Sequence, residues 1–300
     1  MKKITKKIIN KISKIDIDYK KERVLKKIIS NDRNIKYIDT FILVNDHNVK
    51  IRLFIPKVIN QTIIYFHGGG FVTGDIHTYS KTCDDLANNT NSLVISVNYR
   101  LAPEYPFPNG LIDCYNVTKY LYSSDSFLDN KSIIIMGDSA GGNLASVVSI
   151  LASEKKEFKI KKQILLYPLT YHIHDENSIF NSVKENGNDY ILTNKRINDY
   201  LNLYVKDKKY LKNKYVSPLN ADNLNNQPET LIITASLDPL RDEGEAYGNK
   251  LIKFNNKVKM YRIDNIHGFF TLPIYKKAIN ECYSYINEFL GGGILEDKVV

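Results

Sequence analysis

The chain has 300 residues, 43% of them hydrophobic and 25% charged, enough to bury a sizeable core in one large domain or two small ones. Its net charge of +9 is concentrated at one end: residues 1–30 hold eleven Lys/Arg against three acidic residues, a net of +8 that leaves +1 for the other 270. No broad basic face is implied for the body and no nucleic-acid-binding motif occurs, so no nucleic-acid partner is expected.

In that first segment Ile4, Ile8, Ile12 and Ile15, then Val24, Leu25, Ile28 and Ile29, recur at helical spacing among lysines and predict amphipathic helices. Such helices can lie on an anionic membrane or pack on the protein's own body. Packing is the favoured reading, because Lys, Ile and Asn are abundant along the whole chain. The segment lacks a continuous apolar core and a small-residue cleavage site, so it does not read as a signal peptide, and a cytoplasmic location is expected.

Residues 37–44 and 49–55 read as two strands joined by the turn-rich Asn45-Asp46-His47-Asn48. Short, mostly β-branched apolar runs follow at 62–66, 92–97, 132–136, 163–167, 230–234 and 258–263, as buried parallel strands require. Helical patterns fall between most of them, at 79–88, 111–122, 143–152 and 243–254, with 275–290 last. This alternation predicts an α/β fold whose mostly parallel sheet is covered by helices on both faces. The uncharged stretch 139–153 is too short to span a membrane. Cys83, Cys114 and Cys282 form no C-x-x-C pair, which argues against a disulfide framework and fits small buried side chains in a reducing compartment.

Between Tyr167 and Thr230 the rhythm breaks over an interval far longer than a crossover needs. Residues 171–215, with helical patterning at 195–205, are read as an inserted cap. An insertion after a strand's carboxyl end overlies the edge where open α/β sheets bind ligands. The tail 291–300 is expected to be a flexible end.

The chemistry-bearing segment is Gly137-Asp138-Ser139-Ala140-Gly141, which lies between the apolar run 132–136 and the helical pattern beginning at Gly142. Strand, glycine-flanked serine and helix make a nucleophile elbow, a tight turn that lifts the hydroxyl above the sheet. A serine hydroxyl is a weak nucleophile and needs a base, itself oriented by a third group. Asp238 follows the strand 231–236, and His267 follows the last strand. Asp242 is the rival acid, but it opens the next helix and is expected to cap it. His67-Gly68-Gly69-Gly70 directly follows another strand, and consecutive glycines can turn unobstructed N–H groups toward a developing oxyanion. A phosphate loop is the competing reading, but this run has neither the Lys-Ser/Thr of a P-loop nor G-x-G-x-x-G spacing. His67 is expected to brace the loop. His172 and His174 form an H-x-H pair for which no further metal ligands can be identified, so neither a metal nor a cofactor is expected.

Taken in order, His67-Gly-Gly-Gly70, Tyr99-Arg-Leu-Ala-Pro-Glu104 with Phe107-Pro108, Gly137-Asp-Ser-Ala-Gly-Gly-Asn143, Ser217-Pro-Leu219, Asp238-Pro-Leu-Arg-Asp-Glu243 and His267-Gly-Phe269 make the chain resemble the hormone-sensitive-lipase-like carboxylesterases over about residues 60–290. The resemblance implies a single α/β-hydrolase domain over 1–300, with cap elements at about 1–36 and 171–215. It implies Ser139 as nucleophile, Asp238 and His267 as its partners, the N–H groups of Gly69, Gly70 and Ala140 as the oxyanion hole, and a small short-acyl ester as substrate. His67 and Gly68 would support the glycine loop. Two departures stand out: Ser80 where many members carry an acidic residue, and Ser236 where Glu is common. The alternatives are a non-catalytic small-molecule receptor on the same fold, as in the plant gibberellin receptors, and an esterase attached peripherally to membrane through the basic helices. The receptors lack the catalytic histidine, which is present here as His267.

Overall fold

The computed structural model describes Lys20, Arg23 and residues 35–124 and 132–291. The two amphipathic helices expected within 1–30 and the tail expected at 291–300 lie outside the described residues, Lys20, Arg23 and Gly291 apart. Eight strands form one sheet in the order β1-β2-β4-β3-β5-β6-β7-β8. They are β1 (Ile38–Val44), β2 (His47–Phe54), β3 (Gln61–Phe66), β4 (Ser92–Val97), β5 (Ile133–Asp138), β6 (Ile160–Leu166), β7 (Glu229–Leu237) and β8 (Val258–Ile266). Only β2 runs against its neighbours, and the pairs from β4 through β3 to β8 are all parallel. The expected four-residue turn between the first two strands is shorter. His47 pairs with Val44, so Asn45 and Asp46 alone make the turn, and Asn45 takes the positive φ that such a tight reversal requires.

The interior strands are apolar on both sides because both faces are covered. On one side Ile64, Phe66, Ile133 and Ile135 pack against α2 (Asn109–Ser123), α3 (Ala140–Lys155) and α6 (Arg241–Lys253). On the other, Ile63, Tyr65, Ile134 and Met136 pack against α1 (Ser80–Thr90) and α7 (Lys276–Leu290). Each fully buried isoleucine in these layers contributes about 1.5–3 kcal/mol of apolar burial. Cys83, Cys114 and Cys282 sit in α1, α2 and α7 as free, buried thiols.

Ser80 and Arg52 explain each other on the α1 side. Arg52 is buried, forks onto Asp39 at 2.6 and 2.8 Å, and donates 2.8 Å to Ser80 Oγ. An acidic side chain at position 80 would duplicate the charge that Asp39 supplies. The guanidinium beside Asp39 holds that carboxyl at about 2, well below the ordinary value.

Residues 167–228 separate β6 from β7 and carry α5 (Asn194–Tyr204), as the periodicity predicts, together with a shorter helix, α4 (Asn181–Asn186), which it does not. That helix has no apolar stripe to announce it. It is held by polar contacts: Ser182 N–H donates 2.7 Å to Asp242, Ser182 Oγ donates 2.8 Å to the Pro239 carbonyl, and Asn186 Nδ2 reaches the Asp238 carbonyl at 3.4 Å. From the N-terminal segment, Arg23 donates to the carbonyls of Val72 and Ala102 at 2.9 and 3.0 Å and forks onto Glu104 at 3.0 and 3.1 Å. No helix among the described residues is long and apolar enough to cross a membrane.

Candidate active site

β5 ends at Asp138 and α3 begins at Ala140, so Ser139 alone turns the chain from strand to helix. It does so at φ 54°, ψ −119°, a conformation that costs an L-residue about 1–3 kcal/mol. Surrounding contacts enforce it: Ser139 N–H donates 2.9 Å to the Leu166 carbonyl, and its own carbonyl accepts 3.1 Å from Asn143 N–H. The flanking glycines are steric necessities. A Cβ on Gly141 would lie 1.9 Å from the Phe66 carbonyl oxygen, and one on Gly137 would lie 2.2 Å from that of Gly141. The elbow therefore presses directly on the chain leaving β3.

Asp238 and His267 come from the carboxyl ends of β7 and β8, one residue beyond each strand. Parallel register brings both to the edge of the sheet where Ser139 stands. His267 Nε2 lies 2.9 Å from Ser139 Oγ, and its Nδ1 lies 2.7 Å from Asp238 Oδ2. The other oxygen, Oδ1, accepts 2.9 Å from Leu240 N–H, so both carboxylate oxygens of this fully buried side chain are committed. An ionised carboxylate only accepts, hence Nδ1 carries the ring proton and Nε2 presents its lone pair to the serine. Tyr167 meets the imidazole edge-on, with ring centroids 4.8 Å apart, and fixes the plane of the ring. The structure thus brings Ser139, His267 and Asp238 into one line of hydrogen bonds. Asp242 does not join it and does not cap α6 either. Leu240 holds the cap position, while Asp242 lies in the first turn and accepts from Arg241 Nε at 2.7 Å and from the Ser182 N–H in the insertion.

The glycine loop leaves β3 beside this line, where Phe66 pairs with Gly137. Gly69 at φ 116° and Gly70 at φ 64° adopt conformations that side chains rarely tolerate, and a Cβ on Gly69 would lie 2.1 Å from the Thr73 carbonyl oxygen. The Gly69 carbonyl accepts from Thr73 N–H at 2.9 Å and from Val72 N–H at 3.1 Å, closing a tight turn. His67 is buried. Its ring stacks on Tyr99 at 4.3 Å, its Nδ1 lies 2.9 Å from the Gly68 carbonyl, and its own carbonyl accepts 2.6 Å from the Tyr99 hydroxyl. Ala140, the first residue of α3, is buried next to the serine.

Asp138 has a role that the sequence reading misses. Its buried carboxylate accepts 2.8 Å from the Tyr65 hydroxyl, 3.0 Å from the Tyr79 hydroxyl and 2.9 Å from Gly68 N–H. It therefore bolts the first glycine of the loop to the strand that leads into Ser139. Burial lifts its carboxyl above the ordinary value, against the opposing pull of those three donors and of His267. Strand alternation carries a usable signal, since Ile134, Met136 and Asp138 share a face and the first two are core residues. We expect Asp138→Ala to destabilise the protein by about 2–4 kcal/mol in urea unfolding, because it strands buried donors. Asp138→Asn should restore most of that, since it keeps one acceptor and the Tyr79 hydroxyl can turn to accept from the amide.

The H-x-H pair is divided. His174 is buried with Nε2 2.6 Å from Glu243 Oε2, and Glu243 Oε1 accepts from the Thr170 and Tyr171 N–H groups at 2.6 and 3.1 Å. Burial lowers the basicity of His172, whose Nδ1 lies 3.4 Å from Asn220 Nδ2. No group of three or more His, Cys, Asp or Glu able to hold a metal occurs among the described residues.

Comparison with known proteins agrees with this architecture. The sequence model of a family described by the α/β-hydrolase fold matches residues 63–271. An arylesterase of Saccharolobus solfataricus is 34% identical over 264 residues, 86% of this chain and 85% of the relative. An ethyl acetate hydrolase of Pseudomonas putida is 29% identical over 213 residues, 68% of this chain and 66% of the relative. Among solved structures, an esterase of Pyrobaculum calidifontis superposes with a TM-score of 0.87 at 31% identity, over 98% of this chain and 99% of that one.

Proposed function

We propose, from the premise that the chain belongs to the α/β-hydrolase-fold family that contains the hormone-sensitive-lipase-like esterases, that its carboxylic ester hydrolysis runs through Ser139, His267 and Asp238 and an acyl-enzyme intermediate, with short-acyl esters as substrates. The observation that carries the mechanism is the unbroken relay from Ser139 Oγ to His267 Nε2 at 2.9 Å and from Nδ1 to Asp238 at 2.7 Å.

Ser139 Oγ attacks the ester carbonyl as His267 Nε2 takes its proton. Asp238 holds the imidazole in the required tautomer and stabilises the cation that forms. The carbonyl oxygen becomes negative within reach of the N–H groups of Gly69, Gly70 and Ala140, each such donor being worth about 10²–10³ in rate. Collapse of the tetrahedral intermediate expels the alcohol, which receives the proton from His267. Water, deprotonated by the same imidazole, then releases the acid and restores Ser139. Residues 171–215 cap the site above the glycine loop, and the three free thiols suit the reducing cytoplasm.

The short-acyl assignment draws on the family resemblance and on the relative named for ethyl acetate. It is tested with p-nitrophenyl esters of increasing acyl length. We expect kcat/KM to be highest for acetate to hexanoate and to fall for longer chains, whereas a monotonic rise to palmitate would overturn the assignment.

A further inference from the structure

The insertion helix α5 lies on the glycine loop itself. Gly70 is followed by Phe71, and both take left-handed backbone angles, φ 64° and 63°. For phenylalanine that conformation costs about 1–2 kcal/mol, so something outside the loop has to hold it there. Two tyrosines one helical turn apart do so. The ring of Tyr200 covers Gly70 so closely that a Cβ on that glycine would lie 2.3 Å from Tyr200 Cγ. The ring of Tyr204 stacks on Phe71 with centroids 3.8 Å apart and planes within 7°. Residues four apart on a helix present side by side, so one face of α5 grips two successive loop residues. The helix is in turn fixed to the body: the Tyr204 carbonyl accepts 2.8 Å from Phe107 N–H, and the Phe107 ring meets Tyr204 edge-on at 5.8 Å. The Phe71 carbonyl accepts 2.9 Å from Ala102 N–H, so the loop is held between the insertion and the 102–107 segment.

The buried Tyr204 hydroxyl has no hydrogen-bond partner among the described residues. What position 204 presents to the loop is its flat ring, stacked on Phe71.

We infer that Tyr200 and Tyr204 are positioning residues for the oxyanion donors: the insertion, beyond covering the site, sets the angle at which the Gly69 and Gly70 N–H groups meet the developing charge. This rests on the assignment of those N–H groups under the proposed function. A tyrosine that only filled the core would contribute to stability, whereas a clamp on the donors must appear in the transition state.

The test measures kcat, KM and the affinity of an alkyl trifluoromethyl ketone, which adds Ser139 Oγ to its carbonyl carbon, passes the serine proton to His267 and leaves an anionic hemiketal oxygen facing the donors. We expect Tyr204→Leu, which keeps apolar bulk and loses the stack, to lower kcat about 10- to 100-fold with KM within about threefold, as slight misplacement of reacting groups does. Ketone affinity should fall by the same factor, and Tyr204→Phe should rescue both. Tyr200→Ala, at a half-buried position, should shift kcat and ketone affinity in the same direction and decides the matter alone if Tyr204→Leu does not fold. Folded variants with wild-type kcat and wild-type ketone affinity would overturn the clamp while leaving the triad intact. A wild-type protein that binds the trifluoromethyl ketone no better than the matching methyl ketone would overturn the donor assignment, and the clamp with it.

Discussion

Ser139→Ala is expected to lower kcat on p-nitrophenyl acetate by about 10⁵- to 10⁶-fold, as removal of a triad nucleophile does. The substitution deletes one oxygen and leaves the strained turn as it is. Alanine has the same Cβ at φ 54°, and the backbone contacts to Leu166 and Asn143 do not involve the side chain. Unfolding should therefore be nearly unchanged while turnover disappears, a combination that loss of folding cannot mimic. Fluorophosphonate labelling, stoichiometric on the wild type, should vanish together with the burst of p-nitrophenol. A variant retaining more than about one hundredth of wild-type turnover, against a loss of this size, would remove Ser139 from the role of nucleophile.

Asp238→Asn should lower kcat by about 10⁴-fold, and the hydrogen bonds around the side chain give the reason. Leu240 N–H donates to Oδ1, so an asparagine turns its carbonyl oxygen toward that donor and its NH₂ toward His267 Nδ1. Nδ1 must then accept, and the ring proton moves to Nε2. The nitrogen facing Ser139 Oγ becomes a donor and can no longer take the serine proton. The ¹⁵N shifts of the imidazole report this tautomer directly: Nδ1 protonated in the wild type, Nε2 in the variant. Activity within tenfold of the wild type would show that Asp238 does not orient the base.

Much of this site is legible in the sequence because its principal groups are placed by local rules. Ser139, Asp238 and His267 each stand one residue beyond a strand, and strands announce themselves through short β-branched runs. The glycines at 68–70 are equally legible, since the positive φ at Gly69 and Gly70 favours residues without a Cβ. What escapes is long-range and polar. The partners of Asp138 on the tyrosines are 59 and 73 residues away, and nothing in their own segments marks Tyr65 or Tyr79 as donors. Glu243 reads as an ordinary first-turn acid until His174, 69 residues earlier, is seen against it. α4 carries no periodicity because hydrogen bonds to the 238–242 turn hold it, and Asp242, expected to cap its own helix, is one of them. The strand order, with β3 between β4 and β5, follows from how crossovers pack rather than from any single run.

The order of the sheet also bears on when activity can exist. The glycine loop hangs on β3, the serine on β5, the acid on β7 and the histidine on β8, the edge strand and the last to be made. By the proposed mechanism a ribosome-bound chain lacking β8 would have no base for Ser139. Ser139 would then stay silent until His267, one residue beyond β8, is in place. Under that mechanism turnover would report that the β8 edge of the sheet is in place.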